Sequence, residues 1–252
     1  MKAALKRMMA GSAVEPVARI WWRRLRVGRE TGRNARDNAV AVQVMRRILK
    51  PDSNWLEVGA STGEMLWHVL RYAPRGNHHA FEPVPDSVAR LRAELGSRVT
   101  VHAVACSDAA GDSEFQHVVG DAGYSGLRRR SYPRADLEVR PIRVRTVRLD
   151  DELPSGLAVH AMKIDVEGAE MQVFRGAERT LARWHPVVLF EHGTGAAEAY
   201  GTTPAALWQW LHDRGYRIFL PEQWLQRRTA LDRGEFEAAF RSGQCNYMAV
   251  PK

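Results

Sequence analysis

Residues 55–66 read WLEVGASTGEML. Trp55, Leu56, Glu57 and Val58 have the makings of a short buried strand, Gly59-Ala60-Ser61-Thr62-Gly63 of a tight turn, and Glu64 onward of an amphipathic helix. A strand that passes through a small-residue turn into a helix brings backbone N–H groups to a helix N-terminus, where a polar or anionic ligand is favoured. Gly59 and Gly63 let the main chain approach such a ligand with no Cβ in the way. Any α/β protein contains turns of this kind, so the weight falls on the flanking sequence.

Downstream, residues 78–81 form a second strand that ends in Glu82-Pro83, and Pro85-Asp86 open a helix that Gly96 stops. Residues 99–105 are a third strand closing on Cys106-Ser107-Asp108. Residues 113–119 resemble a strand, residues 121–134 a mobile basic loop, and residues 141–149 an edge strand with alternating arginines. Residues 159–166 (VHAMKIDV) are a buried strand ending in acid, followed by a helix over 168–181. Residues 186–190 are another strand and end in Glu191-His192. Thr203 caps a helix begun by Pro204 and stopped by Gly215, and residues 216–220 and 245–250 are the last two strands. Strands alternating with helices at this spacing predict an α/β fold with a parallel, doubly wound sheet. Ligands bind such sheets at the carboxyl ends of the strands.

Upstream, residues 29–38 read as a polar loop. Asp37 or Asn38 is placed to cap a helix through Leu49, with Ala41, Val44, Met45 and Ile48 on its apolar face. Within residues 16–27, Val17, Trp21 and Leu25 share a helical stripe with arginines beside it. This stretch fits contact with an anionic membrane surface, with its own domain or with a second copy in a homodimer. Residues 1–50 hold thirteen Lys/Arg and three Asp/Glu, so they more than account for the overall +8. The remainder is near neutral, which argues against a nucleic-acid groove through the body of the protein. Two domains are expected: a basic segment, 1–37, and a catalytic domain, 38–252. No apolar run is long enough to span a membrane. Cys106 and Cys245 have no metal-ligand spacing, and both features point to a cytoplasmic chain.

Three strand ends carry acids: Glu57, Glu82 and Asp165. Glu82 lies 23 residues after Gly59, the separation at which an acid on the second strand reaches a ribose diol. A nucleoside-containing cofactor is therefore expected. The turn lacks G-x-G-x-x-G, which disfavours a nicotinamide dinucleotide.

With these residues in view, the chain resembles the FkbM family of S-adenosylmethionine-dependent methyltransferases. Glu57-Val58-Gly59-Ala60-Ser61-Thr62-Gly63 stands for the family's D-V-G-A-N-x-G, with Glu and Ser as departures. Phe81-Glu82-Pro83 is the second motif. K-I-D-V-E-G-A-E stands intact at 163–170, P-x-V-L-F-E at 186–191 and N-x-x-A-V-P at 246–251. The resemblance covers residues 38–251. It implies a Rossmann-like class I methyltransferase fold with seven strands, mostly parallel, and helices on both faces. It also implies methyl transfer from S-adenosylmethionine to a hydroxyl, typically on a sugar of a glycan, glycolipid or natural product. The implied cofactor site is Glu57, Gly59, Ala60, Ser61, Gly63, Glu82, Ala105, Ser107, Asp108 and Asp165, with Ala105 to Asp108 flanking the adenine. Glu57 can equally well brace the turn.

An alcohol needs a base or a metal to remove its proton. Asp165, Glu191 and His192 end neighbouring strands, so they are candidates both as Mg²⁺ ligands and as catalytic residues. In the metal-free alternative, His192 is the base, oriented by Asp165 or Glu167. In a third, Glu191 and His192 only bond backbone. Glu170 is placed to favour a helix N-terminus, and Lys163 to pair with a carboxylate. A nucleic-acid methyltransferase is the competing enzyme class, although Asp165-Val166-Glu167-Gly168 occupies the place of the N/D-P-P-Y stretch of base-amine methyltransferases. A non-catalytic partner-binding protein on the same scaffold is the competing reading from another class.

Overall fold

The computed structural model describes residues 32–130, 132 and 136–252; the amphipathic stretch 16–27 lies outside them. The chain divides into two units, Met1–Ala39 and Val40–Lys252. Of the first, the described part is the start of helix α1, Gly32–Ile48. Asp37 and Asn38 are thus inside a helix and not at its cap. Once a helix exists, each further residue adds a hydrogen bond at small cost, and Ala35, Arg36 and Ala39 propagate it well.

The second unit continues with β1 Trp55–Val58, α2 Glu64–Tyr72, β2 His78–Phe81, α3 Pro85–Leu95 and β3 Val99–His102. Next come β4 Ala105–Cys106, β5 Gly111–Val118, β6 Val139–Val147, α4 Leu149–Glu152 and β7 Ala161–Ile164. Helices α5 Glu170–Gly176 and α6 Glu178–Trp184 precede β8 Val187–Glu191 and α7 Pro204–Asp213. The chain finishes with β9 Tyr216–Phe219, α8 Pro221–Leu225, α9 Arg233–Arg241 and β10 Asn246–Pro251.

The main sheet has seven strands in the order β3-β2-β1-β7-β8-β10-β9. Strands β3, β2, β1, β7 and β8 pair in parallel, and β10 runs antiparallel to both β8 and β9. The strands are short and buried along most of their length, so each face needs its own cover of helices. Leu56, Val58, Met162, Ile164, Val188 and Phe190 face one core with Phe174, Leu207, Leu211 and Phe236 from α5, α7 and α9. Trp55, Ala80, Ala161, Leu189 and Met248 face the other with Val44, Met45, Leu66 and Leu91 from α1, α2 and α3. The doubly wound α/β sheet read from the sequence is present.

Three local readings are corrected. The third strand stops at His102, and Ala105–Cys106 joins a separate three-stranded sheet, β4-β6-β5. His102 secures this junction: its Nε2 lies 2.9 Å from His79 Nδ1 and its Nδ1 3.1 Å from Glu152 Oε1, and Glu152 in turn accepts from Arg145 of β6. The single helix expected over 168–181 is broken at Ala177. Gly176 packs there so closely that a Cβ would lie 2.0 Å from the Ser107 carbonyl oxygen. The helix α9, not assigned from sequence, carries a complete capping box in which Asp232 accepts from Glu235 N and Glu235 accepts from Asp232 N.

Candidate active site

The glycine turn after β1 is held from within. Gly59 N and Ala60 N donate to Phe81 O at 3.0 and 3.2 Å, Gly63 N to Ala60 O at 2.7 Å, and Ser61 N to Glu82 Oε2 at 2.7 Å. These four amides are therefore engaged, and the turn serves by its shape and not as a row of open donors. Gly59 has φ +82°, and a Cβ there would lie 1.8 Å from Asp165 O. Its missing side chain thus lets β1 and β7 close together at their carboxyl ends. Gly63, at φ +69°, packs against Leu91, and Ser61 adopts φ +42° without being glycine.

Glu82 is buried at the end of β2. Its two oxygens accept one amide each, from Ser61 at 2.7 Å and Val84 at 2.9 Å. Burial raises its pKa, while the two amides and Arg90 oppose the rise. A carboxylate has about four acceptor positions, so each oxygen keeps one for an incoming hydroxyl. This pair of acceptors fits a ribose diol.

Glu57 points elsewhere. Trp55 Nε1 donates to its Oε2 at 2.6 Å, and its register partner across the sheet is Lys163. Burial lifts Glu57 to about 7, against the pull of Lys163 and the Trp55 bond. Its side chain is therefore engaged within the sheet, by Trp55 of its own strand and opposite Lys163 of β7. Ala105 packs beside Val84. Ser107 and Asp108 are tied through their main chain to the end of β6, and Ser107 Oγ donates to Asp108 Oδ1 at 3.3 Å. Ser107 N donates to Val147 O, and Asp108 O accepts from Arg148 Nη1 at 2.7 Å.

At the ends of β7 and β8 four carboxylates meet two cations. Lys163 Nζ lies 2.6 Å from Asp165 Oδ2. Burial alone would lower the Lys163 pKa, but Asp165, Glu57 and Glu191 outweigh it and hold the ammonium charged. Glu191 is pushed up to about 8, first by the Asp165 charge and then by burial. Glu167 is raised by burial and by Asp165, against the pull of Arg130, with which it forms an ion pair. Glu167 sits at φ +57°, ahead of a glycine whose Cβ would strike Ala196 O at 2.4 Å. Such a backbone is held only where its surroundings fix it. Glu170 provides part of that hold by accepting from Gly168 N at 2.8 Å.

His192 does not join this group. Residues adjacent in a strand point to opposite faces. Glu191 shares a face with Lys163 and Asp165, whereas His192 turns to the opposite core. There it is fully buried, its ring 6.3 Å from Phe236 and 5.1 Å from Phe240. Its Nδ1 lies 3.4 Å from Glu170 Oε2, so Glu170 orients it, not Asp165 or Glu167. The metal set Asp165–Glu191–His192 is therefore not assembled, and among the described residues no three His, Cys, Asp or Glu side chains are grouped to hold an ion. Lys163 already supplies a positive charge to Asp165.

The basic loop is docked in its described part. Arg130 reaches Glu167 and lies 5.2 Å from the Tyr124 ring. Arg128 N donates to Tyr200 Oη at 3.0 Å, and Arg128 Nη1 to Ala199 O at 3.0 Å. Tyr200 and Arg130 thus enclose the acidic cluster, and sequence reading assigned neither of them. For Arg130 the signal was tyrosines interleaved with arginines in 121–134; Tyr200, in AEAYGTT, carried none.

A seven-stranded sheet in this order, with the last strand antiparallel and acids at the carboxyl ends of β2 and β7, defines the class I S-adenosylmethionine-dependent methyltransferase fold. The chain belongs to the FkbM methyltransferase family, whose model, "Methyltransferase FkbM domain", matches residues 57–218. It is 33% identical over 175 residues to the 2-O-methyltransferase NoeI of Sinorhizobium fredii, covering 62% of this chain and 71% of that protein. It is 26% identical over 219 residues to the AMB antimetabolite synthetase AmbE of Pseudomonas aeruginosa, covering 72% of this chain and 10% of that one. Among solved structures, the FkbM methyltransferase of Methylobacillus flagellatus superposes with a TM-score of 0.51 at 16% identity. That match covers 80% of this chain, which spans 44% of the length of that structure. Among the described residues no helix is long and apolar enough to cross a membrane.

Proposed function

We propose that this methyltransferase transfers the methyl group of S-adenosylmethionine to a sugar hydroxyl, with Glu191 as the general base and without a metal ion. The observation that carries this reading is the place of Glu191, at the end of β8 beside Asp165, in an acidic cluster that directly abuts the glycine turn. Asp165 N donates to Val58 O at 2.9 Å, and Asp165 O touches Gly59. Base and cofactor turn therefore share one wall. The likeness to a 2-O-methyltransferase supports oxygen as the acceptor atom.

When bound, the cofactor supplies an electrophilic methyl on a sulfonium. The chain's own residues do the rest. Glu82 offers two acceptor positions to the ribose diol. The turn from Gly59 to Gly63 admits the methionine part along bare backbone. Glu191 takes the proton of the acceptor hydroxyl, and a carboxylate whose pKa lies near the working pH is well matched to that transfer. Arg130 and Tyr200 close one side, so that the acceptor oxygen is oriented rather than merely bound.

Two outcomes are expected. Glu82→Ala should raise the dissociation constant for S-adenosylmethionine by roughly two to four orders of magnitude, since two charge-assisted hydrogen bonds of about 1.5–3 kcal/mol each are lost. Calorimetric titration measures this, and an unchanged constant would sink the cofactor assignment. Methyl transfer should proceed equally well after exhaustive dialysis against EDTA. Activity that collapses and returns with Mg²⁺ would overturn the metal-free mechanism.

A further inference from the structure

On the face of the sheet covered by α1, a cavity of about 330 Å³ is lined by Arg47, Phe219, Trp224, Arg227 and Arg228. Its size falls in the range of small-ligand sites, roughly 300–1,000 Å³. The register of the sheet locates it. Phe219 pairs with Met248, and Met248 with Leu189, two residues before Glu191. At the usual strand spacing and rise, the Cα atoms of Phe219 and Glu191 lie about 12 Å apart.

The lining is unusual for a surface hollow. Three arginines and an indole line it. Arg47 is fixed in place, since its Nη1 donates to Leu225 O at 2.9 Å and its Cζ stands 5.8 Å from the centre of the Trp224 ring. Arg227 takes φ +60°, a left-handed backbone that a long side chain adopts only at a cost. Neither Arg227 nor Arg228 forms an ion pair with any described carboxylate. Three cations with no ion-pair partner among the described carboxylates repel one another, so the cavity gains most from an anion with several oxygens. Arginine's planar fork matches phosphate oxygens in pairs. Trp224 adds a flat face on which a sugar or base ring can lie.

We infer that this cavity is a binding site for a phosphate-bearing ligand whose phosphoryl oxygens are held by Arg47, Arg227 and Arg228 and whose ring stacks on Trp224. The inference does not depend on the methyl-transfer reading, because it concerns anion binding alone. A phosphorylated soluble sugar and a lipid headgroup present the same chemistry to these residues.

The experiment is calorimetric titration of the full chain with inorganic pyrophosphate at low ionic strength. Saturable one-to-one binding is expected. In the double variant Arg227→Gln/Arg228→Gln it should be at least tenfold weaker, and in the exposed control Arg71→Gln/Arg75→Gln unchanged. Absence of saturable binding, or equal affinity in all three proteins, would overturn the site. Co-sedimentation with phosphatidylcholine vesicles, with and without phosphatidylglycerol, distinguishes the sources. If the double variant loses both pyrophosphate and vesicle binding, the ligand is a headgroup. If it loses only pyrophosphate binding, the ligand is a soluble phosphosugar.

Discussion

Glutamine in place of Glu191 is expected to lower kcat/KM for methyl transfer by about two to four orders of magnitude, the usual worth of a positioned general base. The side chain keeps its shape and loses only its ability to take a proton. The pH profile carries the sharper signature. The Asp165 charge first, and burial second, hold the Glu191 carboxyl at about 8 against an ordinary 4.5. Below that pH the group is protonated and cannot act as a base, so the wild-type rate should climb as pH rises through about 8. The variant should lack this climb. For stability the sign is reversed. A group whose folded pKa is raised contributes its full stabilisation below the unfolded value and loses it as pH rises through the folded one. The wild-type melting temperature should therefore fall across the interval in which its rate rises, and the variant, which cannot ionise there, should fall less. A protein that is inactive yet melts no lower than wild type at alkaline pH separates chemistry from misfolding. Because Asp165, Glu167 and Glu191 interact, the measured value belongs to the cluster. An undiminished alkaline climb in Glu191→Gln would transfer the role of base to Glu167.

The parts of this site that were legible in the sequence are those set by local rules. The turn at 59–63 and the strands ending in Glu82 and Asp165 follow from short buried runs closed by small or acidic residues. Their boundaries follow from Pro85, Gly96, Thr203-Pro204 and Gly215, whose backbone preferences act within a few residues. The separation of Glu191 from His192 was legible in principle, since alternation along a strand sends neighbours to opposite faces. The capping box at Asp232 and Glu235 was equally local. The second sheet was not legible. Ala105 and Cys106 continue the apolar pattern of β3, and only their pairing with Thr146 and Val147 removes them from it. Nor was the docking of Arg130 on Glu167, because a guanidinium in a polar loop carries no mark of the carboxylate it will find 37 positions away. What a glycine is for is also decided by tertiary contacts. Gly59 and Gly201 both have positive φ, but only the first has a backbone atom where its Cβ would be.

That difference makes Gly59→Ala the most destructive single methyl group this site can receive. The substitution is expected to cost about 3–5 kcal/mol. One part is the left-handed backbone, roughly 1–2 kcal/mol for a residue with a Cβ. The rest is overpacking, typically about 1–3 kcal/mol and more where nothing can move. Here nothing can. The atom struck is a main-chain carbonyl oxygen, 1.8 Å from the new Cβ, and Asp165 is held by the hydrogen bond from its own N–H to Val58 O. At about 2–4 °C per kcal/mol for a chain of this size, the melting temperature should drop by about 10 °C. Two other glycines calibrate the result. At Gly63 the nearest atom is the far end of the Leu91 side chain, 2.4 Å away, which can rotate aside, so alanine there should cost less. At Gly201 the φ is +67° and nothing lies within 4 Å, so alanine should cost only the backbone part. The expected order of melting temperatures is therefore Gly201→Ala highest, Gly63→Ala next and Gly59→Ala lowest. Equal losses at Gly59 and Gly201 would mean that β1 and β7 do not close on one another at this point. The shared wall of cofactor turn and acidic cluster would then be lost with that contact.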